Sequence, residues 1–258
     1  AKLRLTIDTE TKAPIRELAD LIHNVPNARL FDEMLKLLHS GNAYQGLQQL
    51  RDSGLHHGCL PIIDLVFDAK DPKAIDFVAQ ALRSTDARIH AGKPVSPGFL
   101  FAALLWDLVN VGWQRRLASG SQLLPARKEA SEEVFDRHLE ALAMLRRFVS
   151  DMRVSWLMQP RFEKRQGATV HRLLEHIRFR AGYDFMLLRA ASGQCDLALA
   201  QWWTDFIDAD HAGRAELISQ AAAARHRTGA ASPRPRRRRR KSGGGNETTT
   251  TTSEPRDE

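Results

Sequence analysis

The chain of 258 residues, 43% hydrophobic and 27% charged, is long enough for one domain or two around a sizeable core. Its net charge of +7 is unevenly placed: residues 1–224 hold 28 basic against 27 acidic side chains, and residues 225–258 hold 10 against 4. Two cysteines, Cys59 and Cys195, exclude a disulfide framework and point to a reducing cytoplasmic setting, the longest apolar run (residues 99–106) is too short to cross a membrane, and no signal peptide is visible.

Hydrophobic spacing predicts helices along almost the whole chain and no large sheet, so the expected fold class is all-α, a multi-helix bundle. The chain opens at Ala1 without Met, and residues 2–7 read as an element already under way, so a preceding segment is expected. A first helix is expected at 14–23. The second, at 28–40, is well signed. Pro26 and Asn27 stop the preceding segment, with Asn27 as the cap. Leu30, Met34, Leu37 and Leu38 form an apolar stripe, and Gly41 sits where a helix-ending glycine belongs. Helices follow at 43–52, 60–67 and 71–88, the last opened by Asp71-Pro72 and keeping Ile75, Val78, Leu82 and Ile89 on one face.

Residues 97–111 are expected as one helix, apolar nearly all round and therefore buried. Residues 117–128, with Gly120 and Pro125, read as a loop between two helical sub-bundles. A long helix is expected at 131–154, with Phe135, Leu139, Leu142 and Val149 as its stripe. Helices at 170–176, 179–191, 195–207 and 213–225 complete the set. From residue 228 the chain turns low-complexity and lacks the apolar residues that offset chain entropy, so residues 228–258 are expected to be disordered.

No arrangement of side chains reads as catalytic. Asp208 and Asp210 have the spacing of a metal-binding pair, but they follow a helix rather than a strand and read as a polar helix end. His56, His57 and Cys59 lack a second ligand cluster and read as a loop with a buried thiol, not a zinc site. No metal ligands are expected.

Charge segregation is the positive signal. Residues 146–189 hold ten basic and four acidic side chains. Arg153, Arg161, Lys164, Arg165, Arg172, Arg178, Arg180 and Arg189 alternate there with Trp156, Phe162, His171, Phe179 and Tyr183. Guanidinium groups pair with phosphates in bidentate fashion, and aromatic faces stack on unpaired bases. The competing reading keeps Phe162, Phe179 and Tyr183 in the core and pairs the arginines with Glu163, Glu175 and Asp184. On balance the aromatics are read as core and the arginines as an RNA-contacting group. Arg236, Arg237, Arg238, Arg239, Arg240 and Lys241 form a cationic block suited to sequence-independent attraction to RNA, weakening steeply with salt.

Several strings resemble a known family. Residues 25–41, VPNARLFDEMLKLLHSG, resemble the neck of bacterial poly(A) polymerases, which share a nucleotidyltransferase group with the CCA-adding enzymes; Arg29 and Glu33 match an Arg-x-x-x-Glu pair carried by that neck. Trp156, then QPRFE at 159–163, RLLEH at 172–176, RFRA at 178–181, the Trp202-Trp203 pair and the arginine-rich end resemble the C-terminal half of the same family. The match runs to about residue 224, and the tail agrees in composition only.

The resemblance implies a neck, body and tail portion of an enzyme that transfers AMP from ATP to RNA 3′ ends. Residues 1–60 correspond to a neck and RNA-binding helical domain, 61–227 to a helical body with the arginine-rich RNA-binding region, and 228–258 to the basic tail. Arg29 and Glu33 would support the nucleotide pocket structurally. The catalytic head, with its Gly-Ser turn and aspartate pair, is not matched, so this chain is expected to be inactive alone and to bind no cofactor itself. ATP and Mg2+ are expected for the complete enzyme through that head. RNA 3′ ends are the expected partner, with no membrane. The C-terminal part of a CCA-adding enzyme and a free-standing, non-enzymatic helical RNA-binding protein remain as alternatives.

Overall fold

The computed structural model describes residues 7–55, 61–137 and 143–227, and every regular element among them is helical. The first elements are α1 (Thr9–Glu17), a 3-10 segment (Ala19–Asn24), α2 (Asn27–Leu38) and α3 (Ala43–Asp52). The cap of α2 is Pro26, not Asn27, which is the first helical residue. Pro26 supplies only its carbonyl, which accepts the N–H groups of Arg29 and Leu30. Phe31, Met34 and Leu38 are the buried residues of α2, with Leu30 and Leu37 at the margin. Gly41 has φ +78°, and a Cβ there would lie 2.9 Å from Nε2 of His90, so conformation and space both demand glycine.

α4 (Pro61–Phe67) precedes α5 (Pro72–His90), whose N-terminus is closed by Asp71 accepting from the Lys73 N–H at 3.0 Å. Asp86 of α5 also caps a different helix. Its two carboxylate oxygens accept the Ala43 and Tyr44 N–H groups at 2.8 and 3.1 Å, holding the positive end of α3 against α5.

Residues 97–111 are not one helix. The chain divides at Leu105 into α6 (Pro97–Leu104) and α7 (Trp106–Ala118). Neither glycine nor proline marks the break, which turns α6 onto a later helix and α7 onto its successor. The expected loop at 117–128 shrinks to a short turn with Gly120 at φ +89°, and α8 (Leu123–Arg137) begins inside it. Pro125 is the third residue of α8, where a missing N–H costs no helical bond. The expected helix at 131–154 is likewise interrupted. α8 ends at Arg137, and α9 (Val149–Phe162) follows a 3-10 segment (Ala143–Phe148). The remaining elements are α10 (Ala168–Leu174), α11 (Phe179–Ala191), α12 (Leu197–Asp208) and α13 (His211–Arg227). The expected tail from residue 228 lies outside the described residues.

Two apolar cores share α9 and α11. The first joins Phe31, Phe77, Phe101, Trp106 and Trp156 with Phe185. The second joins Met158, Phe162, Phe179, Tyr183, Trp203 and Phe206. Phe31 stacks on Phe101 with ring centroids 5.9 Å apart, so α2 is built into the first core rather than standing off it. Trp156 and Trp203 are fully buried, and each satisfies its indole N–H on a carbonyl, Ala102 at 2.9 Å and Phe162 at 3.0 Å.

Two arginines are also buried. Arg127 is 0% exposed and lies over the rings of Trp113 and Trp106, 3.2 and 4.3 Å from their centroids, with no hydrogen-bond partner for its guanidinium nitrogens among the described residues. Arg189, 2% exposed, donates to Gln159 at 3.2 Å. Burial holds the Arg127 guanidinium well below its usual pKa, and the charge of Arg189 pushes the same way. Desolvating an unpaired ion costs several kcal/mol, whereas each cation–π contact returns about 2 kcal/mol at most. Arg127→Met, which keeps the stem and removes the charge, is therefore expected to leave the melting temperature unchanged or raise it. A fall of more than about 5 °C in a thermal melt would contradict this.

Candidate nucleic-acid interface

The aromatic residues of the basic region take core positions. Trp156, Phe162, Phe179 and Tyr183 are buried, and Phe162 and Phe179 meet Trp203 at centroid distances of 5.0 and 5.8 Å. Helical periodicity accounts for this: Phe179, Tyr183 and Met186 fall on the inward face of α11 together with Arg189, which leaves Arg180 outside, and the other basic residues that stay exposed or half-buried lie before α11.

Apart from the buried Arg189, the basic residues named above fall into two groups. Arg153, Arg178 and Arg180 have carboxylate partners. Arg153 donates to Glu132 at 2.5 Å and lies over Phe135, tying α9 to α8. Arg178 pairs with Asp151 at 2.8 Å, and Arg180 with Asp184 at 3.0 Å. Arg161, Lys164, Arg165 and Arg172 form no ion pair among the described residues; all are exposed except Arg165, which is half-buried. They follow one another from the end of α9 through the connection at 163–167 to α10. Arg236 through Lys241 lie outside the described residues, as do His56, His57 and Cys59.

Arg29 and Glu33 are both exposed on α2. Glu33 accepts from Lys36 at 2.8 Å and makes no ion pair with Arg29. The hydrogen bond from Lys36, and then its charge, hold the Glu33 carboxyl below its ordinary value, with Arg29 adding a weaker pull. Asp210 closes the N-terminus of α13 by accepting the Gly213 N–H at 2.8 Å, which uses its carboxylate as a helix cap. No group of three His, Cys, Asp or Glu among the described residues could hold a metal ion. Burial pushes the Cys195 thiol up, so it is not a thiolate at neutral pH.

Two surface depressions with arginines in their lining differ in charge. The larger, about 1090 Å³, lies between α8 and α9. Arg116, Lys128, Arg137 and Arg161 line it together with Glu129, Glu132, Glu133 and Asp136, so its charge is balanced. Glu133 is saturated there: it accepts from Arg115 and Arg116, each at 2.7 Å, and from Arg137. The bonds from Arg115 and Arg116 lower its pKa to about 2. These paired charges have little to attract a polyanion, which leaves Lys128 and Arg161 as the lining cations without an ion pair among the described residues. The smaller, about 570 Å³, is lined by Arg88, Arg178 and Arg180 against Asp184 alone. Sequence reasoning missed Arg88, because it lies on α5, far from the basic region in the chain. Only its place in the last turn of a helix marks it out.

Comparison with known proteins adds two regions. Residues 119–242 match the family model described as the polymerase A arginine-rich C-terminus. Residues 4–66 match the one described as a probable RNA and SrmB-binding site of polymerase A. The chain is 39% identical over 210 residues to poly(A) polymerase I of Salmonella typhimurium, covering 80% of this chain and 45% of that protein. It is 36% identical over 226 residues to poly(A) polymerase I of Haemophilus influenzae, covering 85% and 49%. Identity to the enzyme of the same name from Escherichia coli O157:H7 is 35% over 235 residues, covering 88% and 50%. The chain thus spans about half the length of the curated relatives it matches.

Proposed function

Because the chain belongs to the bacterial poly(A) polymerase family, we propose that it holds RNA for an enzyme that adds AMP from ATP to RNA 3′ ends. The family's two C-terminal regions are both matched here, which favours this reading over a CCA-adding enzyme and over a free-standing binding module. Within it, residues 1–60 act as neck, 61–227 as body and 228–258 as basic tail. The observation that carries RNA contact is the run Arg161, Lys164, Arg165 and Arg172. These cations have no carboxylate partner among the described residues, while the aromatics beside them are taken up by the core. Unpaired cations on a surface are free to neutralise phosphates. Arg153 acts instead as a helix tie, and Arg29 and Glu33 as part of the neck that supports the nucleotide pocket.

ATP and Mg2+ do not fit the described residues. No strand presents an aspartate pair, and Asp210 is engaged as a cap. On this reading the chemistry belongs to a part of the enzyme outside these residues, and the cytoplasm, where RNA 3′ ends are exposed, is the setting. The chain alone is expected to give no ATP-dependent lengthening of an RNA primer in a gel assay. Extension by this chain would overturn that division of labour.

A further inference from the structure

The smaller groove has features that tail attraction and the unpaired run do not explain. It lies where the C-terminal half of α5 and the start of α6 face α11 along its length. Its three guanidinium groups are held in place. Arg88 donates Nε and Nη2 to the Pro94 carbonyl at 3.3 and 3.0 Å. Arg178 and Arg180 are oriented by Asp151 and Asp184, yet their side chains are 51% and 74% exposed. A guanidinium carries five N–H donors, so each keeps donors for an incoming phosphate after its internal bond is made.

The groove also has apolar lining beside these cations. Phe99 lines it half-buried, and Ile177 stands at its edge 93% exposed, a large aliphatic group left in water. The volume falls within the range of about 300–1,000 Å³ typical of small-ligand sites. An apolar wall beside fixed cations suits an unpaired nucleotide, whose base is a flat apolar face and whose phosphate is an anion a few ångströms away. A duplex offers no such face, since its bases are stacked inside.

The geometry points to this groove as a subsite for one unpaired nucleotide of bound RNA, with the base against Phe99 and Ile177 and the phosphate among Arg88, Arg178 and Arg180. The subsite rests on the RNA-binding reading above and adds its place and its preference for single strands. An acidic peptide shares the anionic chemistry, but it has no flat face to set against Phe99.

The test uses the full chain and a fluorescein-labelled oligoadenylate, at moderate salt where attraction by the tail is screened. Ser84→Trp fills the groove from an exposed position on α5, and Ile177→Asp places a carboxylate at its edge. Val111→Asp, at a residue 59% exposed on α7, is the charge control, and thermal melts confirm that all three variants fold. Both groove variants are expected to bind about five- to fiftyfold more weakly than the wild type, with Val111→Asp within about twofold of it. Wild-type binding with both groove variants indistinguishable from Val111→Asp would overturn the subsite and leave the RNA reading standing. No binding by the wild type would overturn both. A glutamate-rich peptide whose binding the groove variants lose, with RNA affinity unchanged, would assign the groove to an acidic protein and overturn the proposal.

Discussion

Removing residues 232–258 is expected to weaken binding to single-stranded RNA by about tenfold to a hundredfold at low salt and to flatten its salt dependence. The cause is counterion release. Each phosphate neutralised on a single strand contributes a slope of about −0.7 in log affinity against log salt, so the eight cations removed, Arg234, the six from Arg236 to Lys241 and Arg256, contribute at most about 5.6. Four carboxylates, at Glu247, Glu254, Asp257 and Glu258, share the segment and bring the change below that ceiling. The helical fold is expected to persist, because both cores are built from residues no later than Ala221. Anisotropy titrations of both chains at a series of salt concentrations read the slope directly. Parallel slopes would reject the tail as an RNA-binding element.

Trp203→Ala is expected to be the most damaging single substitution in the second core. Trp203 is fully buried and meets Phe162, Phe179, Trp202 and Phe206 at centroid distances of 5.0 to 5.8 Å. Truncation leaves a cavity among four aromatic rings and orphans the Phe162 carbonyl, which now accepts the indole N–H at 3.0 Å. Tryptophan-to-alanine changes in cores cost about 3–5 kcal/mol, and the orphaned acceptor places this one at the upper end. The melting temperature should fall by about 10 °C or more. Trp202→Ala should cost less: Trp202 is 9% exposed, its indole bond to Leu217 is long at 3.4 Å, and its neighbour Trp203 stays in place. The reverse order in thermal melts would contradict this account of the second core.

Several local signals read correctly, although the cap of α2 is Pro26 rather than the expected Asn27. The Asp71-Pro72 opening, the helix at 43–52 and the burial of Phe162, Phe179 and Tyr183 each follow from a few neighbouring residues. What escaped depends on contacts between distant parts of the chain. Leu105 breaks a run that is apolar on both sides, because α6 and α7 pack on different partners. Pro125 looked like a loop marker but sits in the first turn of α8, one of the few helical positions proline tolerates. The cap of α3 comes from Asp86, more than forty residues away, because Asn42 makes no side-chain cap bond.

The same division applies to the candidate interface. Charge segregation marked the region from Arg146 to Arg189, but it could not sort its members. The sequence does not show that Arg189 turns inward beside Arg127, or that Arg153 ties two helices together. Nor does it show that Arg178 and Arg180 share a groove with Arg88. Each of those facts depends on which face of a helix is covered, and by what.

The central claim, that this chain holds RNA, is tested most directly by titrating it with labelled single-stranded RNA at low and moderate salt. The expected result is saturable binding whose log affinity falls linearly with log salt, with a slope of several units. Absence of binding even at low salt, from a chain that melts cooperatively, would contradict it.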